Sequence, residues 1–314
     1  MALSVEEVNR LSGTPQHGDL VAQLTLLTRT MQLPRNVCLS ETNQRDDNQD
    51  SFLVTEFTPF GANTPLLILA VSDGLGGYGH GAEVSREVLR QMSLSLFQQL
   101  AIEPGLNNQS RIHMFGLPHL AAALQEAAIL TSSYVNRLID TNKWGKAGAT
   151  LVLVCVFEAE AVLLNLGDSP LFHYERANGV LHRLTEDHTV AGALLRGGLI
   201  TPEMARYHSG NSQLEFYMGS RELPPRLPVR YQKLEEGDLL VLCSDGISRL
   251  LSLEQINMLL RQMDSALDSS NGLANFAEAL REEALSAGEV DNQTIIVWRH
   301  SPAENEHPLG SAIE

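Results

Sequence analysis

Three strand-like runs stand almost end to end at residues 150–157, 161–166 and 171–174, joined by only a few residues each. A strand that returns as a parallel neighbour needs a crossover of a dozen or more residues, so links this short allow only antiparallel pairing. Further runs at 37–41, 51–57, 66–72, 239–243 and 294–299 supply more strands. Helical patterning falls between these clusters, at 82–100, 118–140, 253–263 and 272–287. The first of these has Val84, Val88, Met92 and Leu96 on one face, and Pro118 sits where a first helical turn tolerates it. Hairpin strands with long helices grouped between them predict an α+β fold, with antiparallel sheet packed beneath helices.

The apolar runs at 66–71, 239–243 and 161–166 are the mark of buried strands. Each is followed by an aspartate beside a glycine: Ser72-Asp73-Gly74, Ser244-Asp245-Gly246 and Gly167-Asp168-Ser169. Asp50 immediately precedes another strand, and Asp291-Asn292 precedes the last one. One aspartate in such a place is an ordinary turn residue. Several converging would repel one another unless a cation sat between them. Oxygen-only donors suit Mg²⁺ or Mn²⁺, and two such ions about 3.5–4 Å apart can activate a water and clamp a phosphoryl group. With no Cys or His in the set, zinc is disfavoured. Gly74, lacking a Cβ, would let its carbonyl approach an ion, and residues 74–81, with five glycines, read as a loop.

Composition narrows the class. The 314 residues suit one large domain, and a net charge of −16 disfavours nucleic acid or an anionic membrane as a partner. Cys38, Cys155 and Cys243 are too few and too scattered for a disulfide framework and read as small buried hydrophobes. No apolar run is long enough to span a bilayer, and the first residues lack a signal-peptide pattern, so a cytoplasmic protein is expected. Residues 1–35 carry no strand signal beyond a short amphipathic helix at 20–33. Residues 301–314 are polar, hold two prolines, and are expected to be a disordered tail.

In chain order the motifs are Arg45 with Asn48-Gln49-Asp50-Ser51, then Val71-Ser72-Asp73-Gly74-Leu75-Gly76-Gly77 with Gly81 and Ser85. Gly148-Ala149-Thr150, Asn165-Leu166-Gly167-Asp168-Ser169 and Leu184-Thr185-Glu186-Asp187-His188 follow. Gly198 to Glu203, Leu242 to Gly246 and Asp291 to Thr294 complete the series. This series, spanning about 37–299, resembles the metal-dependent serine/threonine protein phosphatases of type 2C, the PPM family, in its bacterial form. The resemblance implies an α-β-β-α sandwich, two antiparallel sheets flanked by pairs of helices, over residues 36–300. It implies Mn²⁺ or Mg²⁺ as cofactor, two ions with Asp73 bridging and the Gly74 carbonyl on one of them. Asp50, Asp245 and Asp291 would complete that centre, and Asp168 would pair with Asp245 at a third, weaker position. Arg45 would hold the substrate phosphate, and a bridging hydroxide would attack phosphorus with no phospho-enzyme intermediate. Phosphorylated proteins, the substrates of a serine/threonine kinase, are the implied partners of a monomeric enzyme, and residues 189–220 correspond to a flap that influences substrate choice.

Departures from the family pattern raise a second reading, a non-catalytic module that keeps the fold. Gln49 stands where the family usually has a carboxylate, and loop register does not place Asp46 or Asp47 as substitutes. Leu75 replaces the histidine that eukaryotic members use as an acid, as is common in bacterial members, and Pro170 and Ala82 replace a frequent Arg and Glu. His80 and His188 read as a solvated loop residue and a structural one. A narrower reading keeps the enzyme but gives it a dedicated regulatory phosphoprotein, such as an anti-sigma-factor antagonist.

Overall fold

The computed structural model describes residues 36–76, 80–101 and 115–301. The expectations for 1–35 and for the tail beyond Ser301 fall outside that range. Two antiparallel sheets lie face to face. In the first, β1 (Asn36–Glu41), β11 (Gln293–Arg299), β10 (Leu239–Cys243), β7 (Leu171–Glu175) and β8 (Val180–Arg183) are neighbours in that order. The second runs β2 (Asp50–Phe57), β3 (Leu66–Leu75), β5 (Leu151–Phe157), β6 (Glu160–Leu166) and β9 (Val229–Lys233), with the two-residue β4 (Gly148–Ala149) pairing the end of β3. Every registered pair is antiparallel. The short link after β5 makes the expected hairpin with β6, but the equally short link after β6 crosses to the other sheet, where β7 pairs with β10 and β8 instead.

Alternation along the strands explains the layering. Leu66, Ile68 and Ala70 of β3 pack with Val84, Val88 and Met92 of helix α1 (Gly81–Leu100) and with Leu120 and Leu124 of α2 (Leu117–Asn142). Their neighbours Leu67, Leu69 and Val71 face the other way, against Leu240, Leu242 and Ile296 of the first sheet. That sheet turns Val241, Cys243, Ile295 and Val297 outward onto Ile256 and Leu260 of α6 (Leu253–Met263) and Phe276 and Leu280 of α7 (Gly272–Ser286). Strands apolar on both faces must be covered on both, and the result is the helix–sheet–sheet–helix order that the resemblance implied.

Short elements join these layers. Helices α3 (Val190–Arg196) and α4 (Pro202–Arg206) form the 189–220 segment, and α5 (Asp245–Ser248) is a single turn after β10. Thr189 and Thr201 cap α3 and α4 by accepting from the N–H groups of Gly192 and Met204. Cys155 and Cys243 are buried, Cys38 is half-buried, and burial pushes the thiols of Cys38 and Cys243 up to about 12, so all three behave as small apolar groups. Among the described residues no helix is long and apolar enough to cross a membrane.

Candidate active site

The two sheets deliver their aspartates to one end of the sandwich. Asp50 begins β2, Asp73 lies within β3 and Asp168 follows β6, all from the second sheet. Asp245 opens α5 at the end of β10 and Asp291 precedes β11, both from the first sheet. The apolar run predicts that the third strand ends at Ser72, with Gly74 onward as loop. Instead β3 continues to Leu75, because Gly74 and Leu75 pair with Ala149 and Gly148 of β4.

Asp73 is fixed through its backbone. Its N–H donates to Thr150 Oγ1 at 2.9 Å, and that hydroxyl meets Ser169 Oγ at 2.7 Å, so the Asp73 and Asp168 turns share one buried hydroxyl pair. Ser72 donates to the Thr150 carbonyl at 2.7 Å. Asn292 performs the matching task on the other side. Its amide donates to the Thr42 and Asp47 carbonyls and its oxygen accepts from the Gln49 N–H, which stitches the loop carrying Arg45 onto the start of β11.

Electrostatics mark the cluster. Burial, then the neighbouring carboxylates, hold the carboxyls of Asp73 and Asp168 well above the ordinary range. Asp245 is raised for the same first reason, and its carboxyl lies within hydrogen-bond reach of Asp73. Asp50 is 8% exposed and pushed up to about 7 by burial. Ser244 donates to its Oδ2 at 2.7 Å, while Oδ1 is buried with no hydrogen-bond partner. Such an orphaned anionic oxygen among like charges is costly by itself and fits a cation.

The donors are all hard oxygen. Among the described residues, no group of three or more Asp, Glu, His or Cys side chains is set closely enough to hold an ion as it stands. It is the all-oxygen donor set that suits Mg²⁺ or Mn²⁺ and not a structural zinc. The predicted set Asp50, Asp73, Gly74, Asp168, Asp245 and Asp291 is thus brought to one place, with Arg45 beside it. Arg45 is largely exposed and donates from Nη2 to Asp291 Oδ2 at 2.7 Å.

Arg249 was not anticipated. One of its nitrogens, Nη1, lies 3.1 Å from Asp245 Oδ2 and 3.7 Å from Asp291 Oδ2, and Nη2 is ion-paired to Glu289. Glu289 is 2% exposed, and its Oε1 accepts the N–H groups of Val290 and Asp291. The available signal was spacing, since Arg249 stands four residues after Asp245 on the turn that opens with it.

The departures leave the cluster in place. Gln49 lays its carboxamide against Gly81, and its carbonyl accepts from Gly74 N–H and Ser85 Oγ. Asp46 and Asp47 are exposed, Ala82 is packed, and Pro170 is buried with its carbonyl accepting from Cys243. His80 is stacked on Trp144, with ring centroids 4.8 Å apart. His188 is buried, and its Nδ1 accepts from Gly167 N–H, the structural role expected of it.

Comparison with known proteins identifies the family and the fold. A family profile described as protein phosphatase 2C matches residues 40–285. The serine/threonine phosphatase stp of Listeria monocytogenes is 29% identical over 235 residues, which cover 75% of this chain and 84% of that protein. The crystal structure of the Mycobacterium tuberculosis serine/threonine phosphatase PstP/Ppp superposes with a TM-score of 0.65 at 25% identity, covering 85% of this chain and 99% of that one. A structure of the PstP catalytic domain in complex with two manganese ions gives a TM-score of 0.61 at 24% identity, covering 84% and 97%.

Proposed function

This chain belongs to the protein phosphatase 2C family, and we propose that it removes phosphate from phosphoserine and phosphothreonine in proteins, with two divalent cations, Mn²⁺ or Mg²⁺, held at its carboxylate cluster. The observation that carries the reading is the convergence of Asp50, Asp73, Asp168, Asp245 and Asp291 from two different sheets, with the buried oxygen of Asp50 left without a partner. Asp73 and the Gly74 carbonyl would hold the central pair, completed by Asp50, Asp245 and Asp291. Asp168 and Asp245 would hold a third ion. When bound, such ions supply Lewis-acid activation of a water and neutralise phosphoryl charge.

The chain's own residues perform the remaining tasks. Arg45, exposed on a loop that Asn292 holds in place, presents a planar fork that suits two phosphate oxygens. Its bond to Asp291 fixes that fork beside the carboxylates while leaving further N–H groups to donate. Arg249 holds Asp245 and Asp291 in register from the side of Glu289. The reading places a monomeric enzyme in the cytoplasm, opposing a serine/threonine kinase, while the names of its bacterial relatives support the phosphatase activity itself.

The test is hydrolysis of para-nitrophenyl phosphate and a phosphothreonine peptide by the full chain with Mn²⁺. Turnover is expected, lost with EDTA and lowered on the order of a hundredfold or more by Asp73→Ala. Wild-type rates no higher than those of an Asp73→Ala, Asp245→Ala double variant would overturn it.

A further inference from the structure

A cavity of about 300 Å³ adjoins the carboxylate cluster. Asp168 and Asp245 line it from the cluster, Phe172 and Ile256 give it an apolar wall, and Leu195 and Arg206 reach it from α3 and α4. It is therefore continuous with the place where a phosphate would be held, and it is of side-chain size, at the low end of ligand sites.

Three aspartates and three arginines line it, but they are not all paired with one another. Asp187 is ion-paired to Arg183, and Asp245 is paired to Arg249 at 3.1 Å. Asp168 belongs to the cluster assigned to cations. Arg206 is the exception, because among the described residues its side chain makes no hydrogen bond or ion pair, while its backbone carbonyl accepts from Asn211. A half-buried guanidinium beside apolar surface and without a partner is set to accept an anion. In a chain of net charge −16 this is a local exception, so its preference is not a general attraction for acidic molecules. On the same 189–220 segment Leu199, Met204 and Tyr207 are 72%, 56% and 79% exposed, apolar surface that suits a polypeptide better than a free anion.

We propose that this cavity is a side-chain subsite that reads an acidic residue a few positions from the phosphorylated serine or threonine, with Arg206 selecting it. The methylenes of such a residue would lie along Phe172 and Ile256 while its carboxylate meets the guanidinium fork. The proposal rests on the phosphatase reading, and its test separates the two. Two fluorescein-labelled peptides carry a non-hydrolysable phosphonate in place of phosphoserine, one flanked by Glu and the other by Gln at the same positions. Their affinity for the full chain with Mn²⁺ is read by anisotropy.

The Glu peptide is expected to bind about tenfold more tightly, the scale of one charge-assisted fork. Arg206→Ala should bring the ratio near one, Arg206→Glu should invert it, and Arg206→Lys should keep part of it. A ratio near one in the wild type, or one that survives Arg206→Ala, would overturn the subsite. If the ratio is present but no phosphoester is turned over, the subsite stands and the phosphatase reading falls. If phosphoesters are turned over and the ratio is near one, the phosphatase reading stands and the subsite falls.

Discussion

Asp73 faces Asp50, Asp168, Asp245 and Asp291, so its negative charge is unfavourable until a cation shares it. Stability and function therefore pull in opposite directions at this residue. In EDTA, Asp73→Asn is expected to be more stable than the wild type by about 1 kcal/mol, a rise of about 2–4 °C in melting temperature. Mn²⁺ should raise the melting temperature of the wild type and leave the variant where it was. Thermal melts by circular dichroism check both, and a variant that melts lower in EDTA would contradict the repulsion argument. Arg249 works by the opposite logic. Removing it strands Glu289, which is buried with one oxygen already lacking a partner. Arg249→Gln should cost about 1–3 kcal/mol in urea unfolding, and adding Glu289→Gln should recover most of it. The aspartates were legible because each interrupts or bounds an apolar run. Arg249 and Glu289 were not, since they are charged residues in polar surroundings and only the folded chain joins them.

At the scale of elements, the two Ser-Asp-Gly copies need glycine for one physical reason. A Cβ on Gly74 would sit 2.7 Å from the Gln49 carbonyl oxygen and against the Gly81 carbonyl, and one on Gly246 would run into the Asn292 carbonyl. These are close backbone approaches, and neither glycine has a positive φ. Gly246→Ala should therefore destabilise by about 2–3 kcal/mol, because a backbone neighbour cannot swing aside as a side chain can. Chemical denaturation measures this, and a change below about 0.5 kcal/mol would show that the turn relaxes. The buried strands were readable from their apolar runs, whereas β8 and β9 were not. Both are edge strands, and Arg183, Arg230 and Lys233 on them carry the charge that edges favour and apolar patterns lack. The caps Thr189 and Thr201, the latter followed by Pro202, were the unused signal for α3 and α4. Between β8 and α3, His188 ties the 189–220 segment to the end of β6, and burial followed by the charge of Arg196 depresses its pKa from 6.5 to about 4. The unfolded chain binds this proton below 6.5 while the folded one refuses it until about 4. Stability is thus fully present above 6.5 and falls across that window as pH drops, by at most about 3 kcal/mol. His188→Asn should flatten the slope of unfolding free energy between pH 6.5 and 4, and an unchanged slope would assign the acid sensitivity elsewhere.

For the whole molecule, the placement of the aspartates on both sheets gives the cations a structural role beside their chemical one. The sheets meet through an apolar layer that includes Leu69, Val71, Leu242 and Ile296 and has no directional bonds of its own. At the catalytic end, Ser244 to Asp50 is one polar bond between the sheets, and the facing carboxylates push apart. Ions shared by Asp73 of one sheet and Asp245 and Asp291 of the other would turn that end from repelling to tied. At a hundredfold excess over its dissociation constant a bound ion stabilises the folded chain by about 2.7 kcal/mol. Hydrogen exchange followed by mass spectrometry with and without Mn²⁺ locates that stabilisation. Protection should rise together in the segments around Asp50 and Asp73 and in those around Asp245 and Asp291, with little change in the far hairpin at Phe157–Glu160. Asp291→Asn, which removes a charge from the first sheet alone, should weaken the gain in both sheets at once. Protection confined to one sheet would mean that the ions do not bridge, and the shared site would have to be redrawn with Asp245 and Asp291 outside it.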